Sequence, residues 1–441
     1  MAWYGADVEG FRHILRQSDL TTRLGKIEKI AGMTIEATGL TCNIGDICVI
    51  QIAETGRKIL SEVAGITGNK AYLMPYEEID GIGAGCTVIN TGCKLMVKMG
   101  PELVGRTVDA LGRPIDGGPA IQNGELLPIG GVPSNPMQRP PISEVMEMGV
   151  KAIDGLTTIG KGQRMGIFAG SGVGKSTLMG MLARNVKADI NVIALVGERG
   201  REVVEFINRD LGPEGIKRSV LVVATSDQTA MMRYKCAMTA TAIAEYFRDC
   251  GGQHVLLMMD SLTRFAMAQR DIGLASGEAP VARGYTPSIY TALPRLLERT
   301  GNFENGSITG IYTVLVEGDD TNEPVADTVR SIIDGHIMLS RKIAAKNHYP
   351  AIDILNSVSR LMSGIVAPEH AAAAGKLRQM MSMYQEHEDL ISIGAYKSGT
   401  NPALDEAISH MGKIDGFLCQ GTDDPFKFEE TVKLLEDTVH A

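Results

Sequence analysis

The sequence predicts an α/β core preceded by a small all-β domain and followed by a helical one, and three observations predict it. Short strand-like runs broken by glycine fill residues 24–91, and strand-length apolar runs alternate with polar-faced helical stretches in the middle third. From about Pro368 apolar residues recur at helical spacing. The chain has 441 residues, too many for one ordinary core, which fits two or three domains.

The all-β region comes first. Its runs at 33–38, 47–53, 58–66, 71–75 and 87–90 are punctuated by Gly or Asn-Gly, as in a small barrel or sandwich. Tyr72 and Tyr76 are its aromatic residues, so it carries no row of stacking platforms for nucleic acid. A Gly/Pro-rich stretch, with Gly112-Arg113-Pro114 and residues 133–141, reads as extended or turning chain leading into the next domain. In the middle third the runs at 165–169, 190–196, 220–224, 255–259 and 311–316 are largely apolar, which suits a parallel sheet covered on both faces. In the last part Leu377, Met380, Met381 and Tyr384 recur at helical spacing, as do Val432 and Leu435.

Composition narrows the function classes. Hydrophobic residues make up 44% and charged residues 22%, a globular balance. The net charge is -9 with both signs interspersed, which argues against nucleic acid as a main partner, because phosphate binding wants a basic face. The densest apolar runs are strand-length and fall short of a membrane span. The first nineteen residues carry Asp7, Glu9, Arg12 and Arg16 and do not read as a secretory signal. Seven cysteines, at 42, 48, 86, 93, 236, 250 and 419, form no CxxC pair and read as free thiols in a reducing cytoplasm.

The strongest motif is Ala169-Gly170-Ser171-Gly172-Val173-Gly174-Lys175-Ser176-Thr177. It follows a strand-like run and precedes a helix-like one, the context a phosphate-binding P-loop needs. Glycines let successive N–H groups face an anion, and the helix start places partial positive charge beneath it. Residues Gly170, Ser171, Gly172, Val173, Gly174, Lys175, Ser176 and Thr177 are therefore the nucleotide-binding candidates. Lys175 would reach the β- and γ-phosphates of ATP, and the Ser176 hydroxyl would ligate Mg²⁺. The first glycine of the usual motif is Ala169 here, so that position must not need a positive φ.

Two acids complete the pattern. Residues 255–259 are an apolar run ending in Asp260, where a carboxylate would hold the Mg²⁺ shell through water. Alone it would read as an ordinary strand end; paired with the loop upstream it reads as the metal acid. Gly197-Glu198-Arg199-Gly200-Arg201-Glu202 follows the run at 190–196, and parallel strands deliver their C-terminal ends to one edge. Glu198 is then the candidate to polarise the attacking water and Arg199 to contact the γ-phosphate, whereas Arg201 and Glu202 read as a solvated turn. The fold class becomes an α/β P-loop NTPase. Its segments are 1–20, a β-barrel domain at 21–95, a P-loop domain at 96–365 and a C-terminal helical domain at 366–441.

Together these elements resemble the rotary ATPase catalytic subunits and their relatives. LVGRTVDALGRPIDG at 103–117, DSLTRFA at 260–266, the stretch 277–299, DGHIMLSR at 334–341 and YPAIDILNSVSR at 349–360 extend the likeness. The loop and GERGREV at 197–203 look most like the flagellar export ATPases of the type III secretion ATPase family. That resemblance implies a RecA-like core and an ATPase forming a six-membered ring, with nucleotide and Mg²⁺ at subunit boundaries. It puts Arg360 in the neighbour's site, Tyr349 against the adenine and Phe417 at the edge of the adenine pocket. It also implies a regulatory stator-like partner at the N-terminal segment, where Trp3, Phe11, Ile14 and Leu15 could form an amphipathic helix. A stalk-like protein in the ring centre, export substrates and chaperones, contact with the membrane export gate, and a cytoplasmic place beside the inner membrane follow from the same resemblance. No nucleic-acid partner is expected.

Other readings fit less well. A virulence-type secretion ATPase usually has an alanine-rich loop. A proton-translocating catalytic subunit should carry an acidic DELSEED-like segment, of which Gln385-Glu386-His387-Glu388-Asp389 is a faint echo. An RNA-translocating helicase should have basic, aromatic-rich strands in its first domain. A non-catalytic ring subunit conflicts with intact Lys175, Glu198 and Asp260.

Overall fold

A computed structural model describes residues 24–52, 54–131, 135–316 and 323–440. The N-terminal segment with Trp3, Phe11, Ile14 and Leu15 lies outside the described residues. Six antiparallel strands close the first unit into a barrel: β1 (Leu24–Ala31), β2 (Thr34–Thr38), β3 (Asp46–Gln51), β4 (Lys58–Thr67), β5 (Lys70–Pro75) and β6 (Thr87–Lys94). Their order is β1-β2-β5-β4-β3-β6, with β1 returning to β6. Alternation explains the closure. Ile35, Ala37, Ile50, Ile59, Val63, Leu73 and Val88 point inward into one apolar core. Five strands match the runs read from the sequence; β1 does not. A register shift between Ile27 and Lys29 breaks its two-residue period, which hides the strand from a pattern search.

In the second unit, β7 (Met96–Met99) pairs with β9 (Glu125–Pro128) in a small antiparallel sheet. The main sheet holds β8 (Thr107–Asp109), β10 (Arg164–Ala169), β11 (Ile190–Val196), β12 (Ser219–Ala224), β13 (His254–Asp260), β15 (Ser307–Leu315), β16 (Gly335–Leu339) and β17 (Ile352–Ser359). The order is β17-β16-β10-β15-β13-β11-β12-β8, and the two-residue β14 (Gly301–Asn302) pairs with β15. All neighbours from β8 to β16 run parallel; β17 is antiparallel. The five apolar runs of the middle third are the central strands β10, β11, β12, β13 and β15. Strands β8, β16 and β17 sit toward the margins, where half-exposed faces admit polar residues and blur the apolar signal.

Helices Pro368–Ser392, Pro402–Leu418 and Phe428–His440 form the C-terminal region and share one core with the sheet. Leu377 and Met380 are buried and Met381 and Tyr384 pack at the margin of that core. In the last helix Thr431, Leu435 and Val439 make the buried face at a four-residue spacing, with Val432 beside it. Among the described residues no helix is long and apolar enough to cross a membrane. All seven cysteines are free.

Candidate active site

Strand β10 delivers the chain to the glycine-rich loop, and the helix Lys175–Asn185 carries it away. Ala169 is the last residue of β10, pairing with Leu315 on one side and Leu339 on the other, so an ordinary strand conformation suffices there. The left-handed positions are Gly172 (φ 77°) and Gly174 (φ 87°), where a side chain would be strained. Gly170 has a different reason. A Cβ there would fall 2.7 Å from a guanidinium nitrogen of Arg341. Val173 is 2% exposed and anchors the loop in the core, while Ser171 and Ser176 lie open to solvent.

Three strand ends converge on Lys175. Its ammonium bonds Asp260, the last residue of β13, and stands 3.6 Å from Glu198 beyond β11. Asp260 is 5% exposed and also accepts a 2.7 Å hydrogen bond from the Thr313 hydroxyl on β15. The Glu198 carbonyl accepts from Ser226 N–H at 3.0 Å, which ties its loop to the one after β12. Ser176, Glu198, Glu202 and Asp260, with Leu195, Val203 and Phe206, line a small cavity at this edge. It is the edge where open parallel sheets hold ligands.

The three charges sit close enough to shift one another. Burial, then the Asp260 carboxylate, push Glu198 up to about 7, against the pull of Lys175. Burial alone would lower Lys175, but Asp260 and Glu198 together overcome it and hold the ammonium above its ordinary value. A charged lysine is thus held between two carboxylates, one of which titrates near neutral pH.

Arg264, which sequence reasoning did not single out, packs beside this site. Its stem packs against Gly197, where an added Cβ would lie 3.1–3.4 Å from the arginine side chain. Its Nε is buried without a hydrogen-bond partner. A guanidinium nitrogen is a charge-assisted donor suited to an anionic oxygen. The available signal was spacing: Arg264 lies four residues past Asp260, in the first turn of the helix Leu262–Ala275.

Other candidates sit elsewhere. Arg199 is not brought to the cavity; its side chain is 78% exposed and its partner is Glu202 at 3.5 Å. Arg360 follows β17, exposed, with one N–H 3.4 Å from the Arg330 carbonyl oxygen and no carboxylate partner among the described residues. Tyr349 is 43% exposed, and its ring lies 3.6 Å from where a Cβ on Gly174 would stand, so it flanks the loop. Phe417, expected at an adenine pocket, is 4% exposed, and a Cβ added at Gly155 would fall 2.9 Å from its ring. The Lys151 ammonium stands 5.8 Å from its ring centroid, so the ring is enclosed within its own subunit.

The donor set suits Mg²⁺. A serine hydroxyl and a carboxylate are hard oxygen ligands. Among the described residues no group of three or more His, Cys, Asp or Glu could hold a metal.

Comparison with known proteins places these features. Residues 149–359 match the nucleotide-binding domain of the ATP synthase alpha/beta family, residues 27–92 its beta-barrel domain, and residues 366–437 the T3SS EscN ATPase C-terminal domain. The flagellum-specific ATP synthase of Bacillus subtilis is 55% identical over 429 residues, covering 96% of each chain. The type 3 secretion system ATPase of Xanthomonas euvesicatoria is 50% identical over 413 residues, covering 94% of this chain and 93% of that one. The assembled ATPase EscN from the enteropathogenic E. coli type III secretion system superposes with a TM-score of 0.89 at 46% identity, over 94% of this chain and all of that chain. EscN in complex with its central stalk EscO gives 0.87 at 45% identity, with 94% of this chain covered.

Proposed function

The chain belongs to the ATP synthase alpha/beta family, among the flagellum-specific ATP synthases and type 3 secretion system ATPases, and from that premise we propose that it hydrolyses ATP to drive protein export through a flagellar type III apparatus. The observation that carries the chemistry is the convergence of Lys175, Glu198 and Asp260 at one sheet edge. The loop sequence AGSGVGKS and the 55% identity to a flagellar relative favour the flagellar system over the injectisome. Deleting the gene in its host is expected to leave cells without filaments; normal filaments would overturn the flagellar reading.

In the mechanism the loop N–H groups of residues 170–175 cradle the phosphates, and Lys175 leaves Asp260 to bind the β- and γ-phosphates. Ser176 and Asp260 would hold the Mg²⁺ that accompanies ATP, whose chemistry is to neutralise phosphate charge. Glu198 orients a water and accepts its proton as the oxygen attacks the γ-phosphorus; the bond to the bridging oxygen breaks and ADP leaves. Arg264 meets charge growing on the γ-phosphoryl from within the subunit, and Arg360 of the adjoining copy meets it across the boundary. Tyr349 stacks on the base.

The acting unit is a homohexamer with a stalk-like protein in its centre, a reading supported by the assembled EscN and EscN–EscO structures. A stator-like regulator at the N-terminal segment, chaperone-borne substrates and a cytoplasmic place beside the membrane export gate complete the proposed setting. The domains would divide near residues 20, 95 and 365.

Two expectations follow here. Glu198 must be ionised to take a proton and is pushed up to about 7, so kcat/KM is present above that pH and falls as pH drops through it. A flat profile from pH 6 to 8 would remove Glu198 as the base. Phe417→Leu should lower Tm yet leave KM for ATP unchanged, because its ring supports the core; a clear rise in KM would restore Phe417 to the pocket.

A further inference from the structure

Resting on the reading of Tyr349 as the base-stacking residue, we infer that Gln420 is a positioning residue that holds this tyrosine in place. Gln420 is 9% exposed and lies just past the helix Pro402–Leu418. Its backbone N–H donates to the Tyr349 carbonyl at 3.0 Å. Its side-chain amide is nearly saturated. The oxygen accepts from Lys151 N–H at 2.9 Å, and the nitrogen donates to the Gly149 carbonyl at 2.9 Å and the Asp424 carbonyl at 2.7 Å.

This arrangement fixes the residue type as well as the place. Reversing the amide would set a donor against Lys151 N–H and an oxygen against two carbonyls, so only one orientation works. Lys151 opens the helix Lys151–Leu156, whose first N–H groups have no partner within the helix; Gln420 satisfies one of them. Gly149 in turn backs onto the end of the loop helix, where its added Cβ would lie 2.6 Å from Asn185. Through its backbone N–H and its buried side-chain amide, Gln420 therefore ties the Tyr349 backbone to the segment that backs onto the end of the loop helix. The tyrosine ring is half-exposed; on its C-terminal side the chain is held by the pairing of Ile352 with Leu339, and Gln420 adds the hydrogen bond to the Tyr349 carbonyl itself. The base would be read through this brace and the phosphates through the loop, so the two can be separated.

The test uses the full chain and compares Gln420→Met, Tyr349→Ala and the double variant, each checked for folding by Tm. Steady-state KM and kcat for ATP are measured with the Ki of inorganic triphosphate, which has no base to stack. Gln420→Met is expected to raise KM for ATP about tenfold, the scale of one aromatic stacking contact. Its kcat and the triphosphate Ki stay unchanged, and Tyr349→Ala adds nothing in the double variant. An unchanged KM in folded Gln420→Met, a matching rise in Ki, or additive effects would overturn the assignment. If Tyr349→Ala itself leaves KM unchanged, the stacking reading fails and takes this proposal with it. A KM effect of Tyr349→Ala without one from Gln420→Met removes Gln420 alone. Should Gln420→Met not fold, Gln420→Glu carries the same expectation, since it keeps the acceptor for Lys151 but turns both donors into an oxygen.

Discussion

Glu198→Gln is expected to bind ATP at least as well as the parent chain and to turn it over about 10²–10⁴-fold more slowly, the usual contribution of a positioned general base. The amide keeps the shape of the carboxylate but cannot accept a proton. Binding survives because the loop and Lys175 are intact, and because a negative charge beside the phosphates has gone. Tm has its own signature. A carboxyl raised by burial and by Asp260 favours its neutral form in the fold, so it contributes stability below its ordinary range that is lost as pH rises through about 7. Glu198→Gln should therefore raise Tm at pH 8 and leave it nearly unchanged at pH 5. Parental turnover in this variant would refute the base assignment.

Arg360→Ala is expected to leave ATP binding and ring assembly intact and to lower turnover by about 10³-fold or more, the range for an arginine supplied across an interface. Within the chain this guanidinium is exposed and meets no carboxylate among the described residues, so its removal costs the isolated fold little. A decisive version mixes two inactive variants. Where a subunit with Arg360→Ala meets a neighbour with Glu198→Gln, one boundary combines an intact Glu198 with an intact Arg360. Activity should return on mixing. If Arg360 acted within its own subunit, no mixture would recover it.

The parts of this site that were legible in the sequence are those with local causes. Glycines at 172 and 174 are demanded by backbone angles, and Asp260 and Glu198 are placed by the ends of apolar strands. What could not be read depends on contacts between distant segments. Arg264 looks like any solvated helix arginine until Gly197 is seen to admit its stem. Gln420 is silent because its partners at 149, 151 and 349 lie far away in sequence. Phe417 came from family resemblance, and its ring is 4% exposed beside Gly155, a neighbour far from it in sequence. Strand β1 was hidden by an irregular register that breaks the alternation on which the reading relied. Tyr349 came from family resemblance, and its position beside Gly174 gives that assignment a geometric footing.

The most direct measurement is the structure of the assembled chain with Mg²⁺ and a non-hydrolysable ATP analogue. In it Lys175 is expected to have left Asp260 for the β- and γ-phosphates, Glu198 to hold a water in line with the γ-phosphorus, and the adjoining copy's Arg360 to point at the same group. Nucleotide bound while Lys175 still pairs with Asp260, or with Glu198 turned away from the γ-phosphate, would contradict this mechanism.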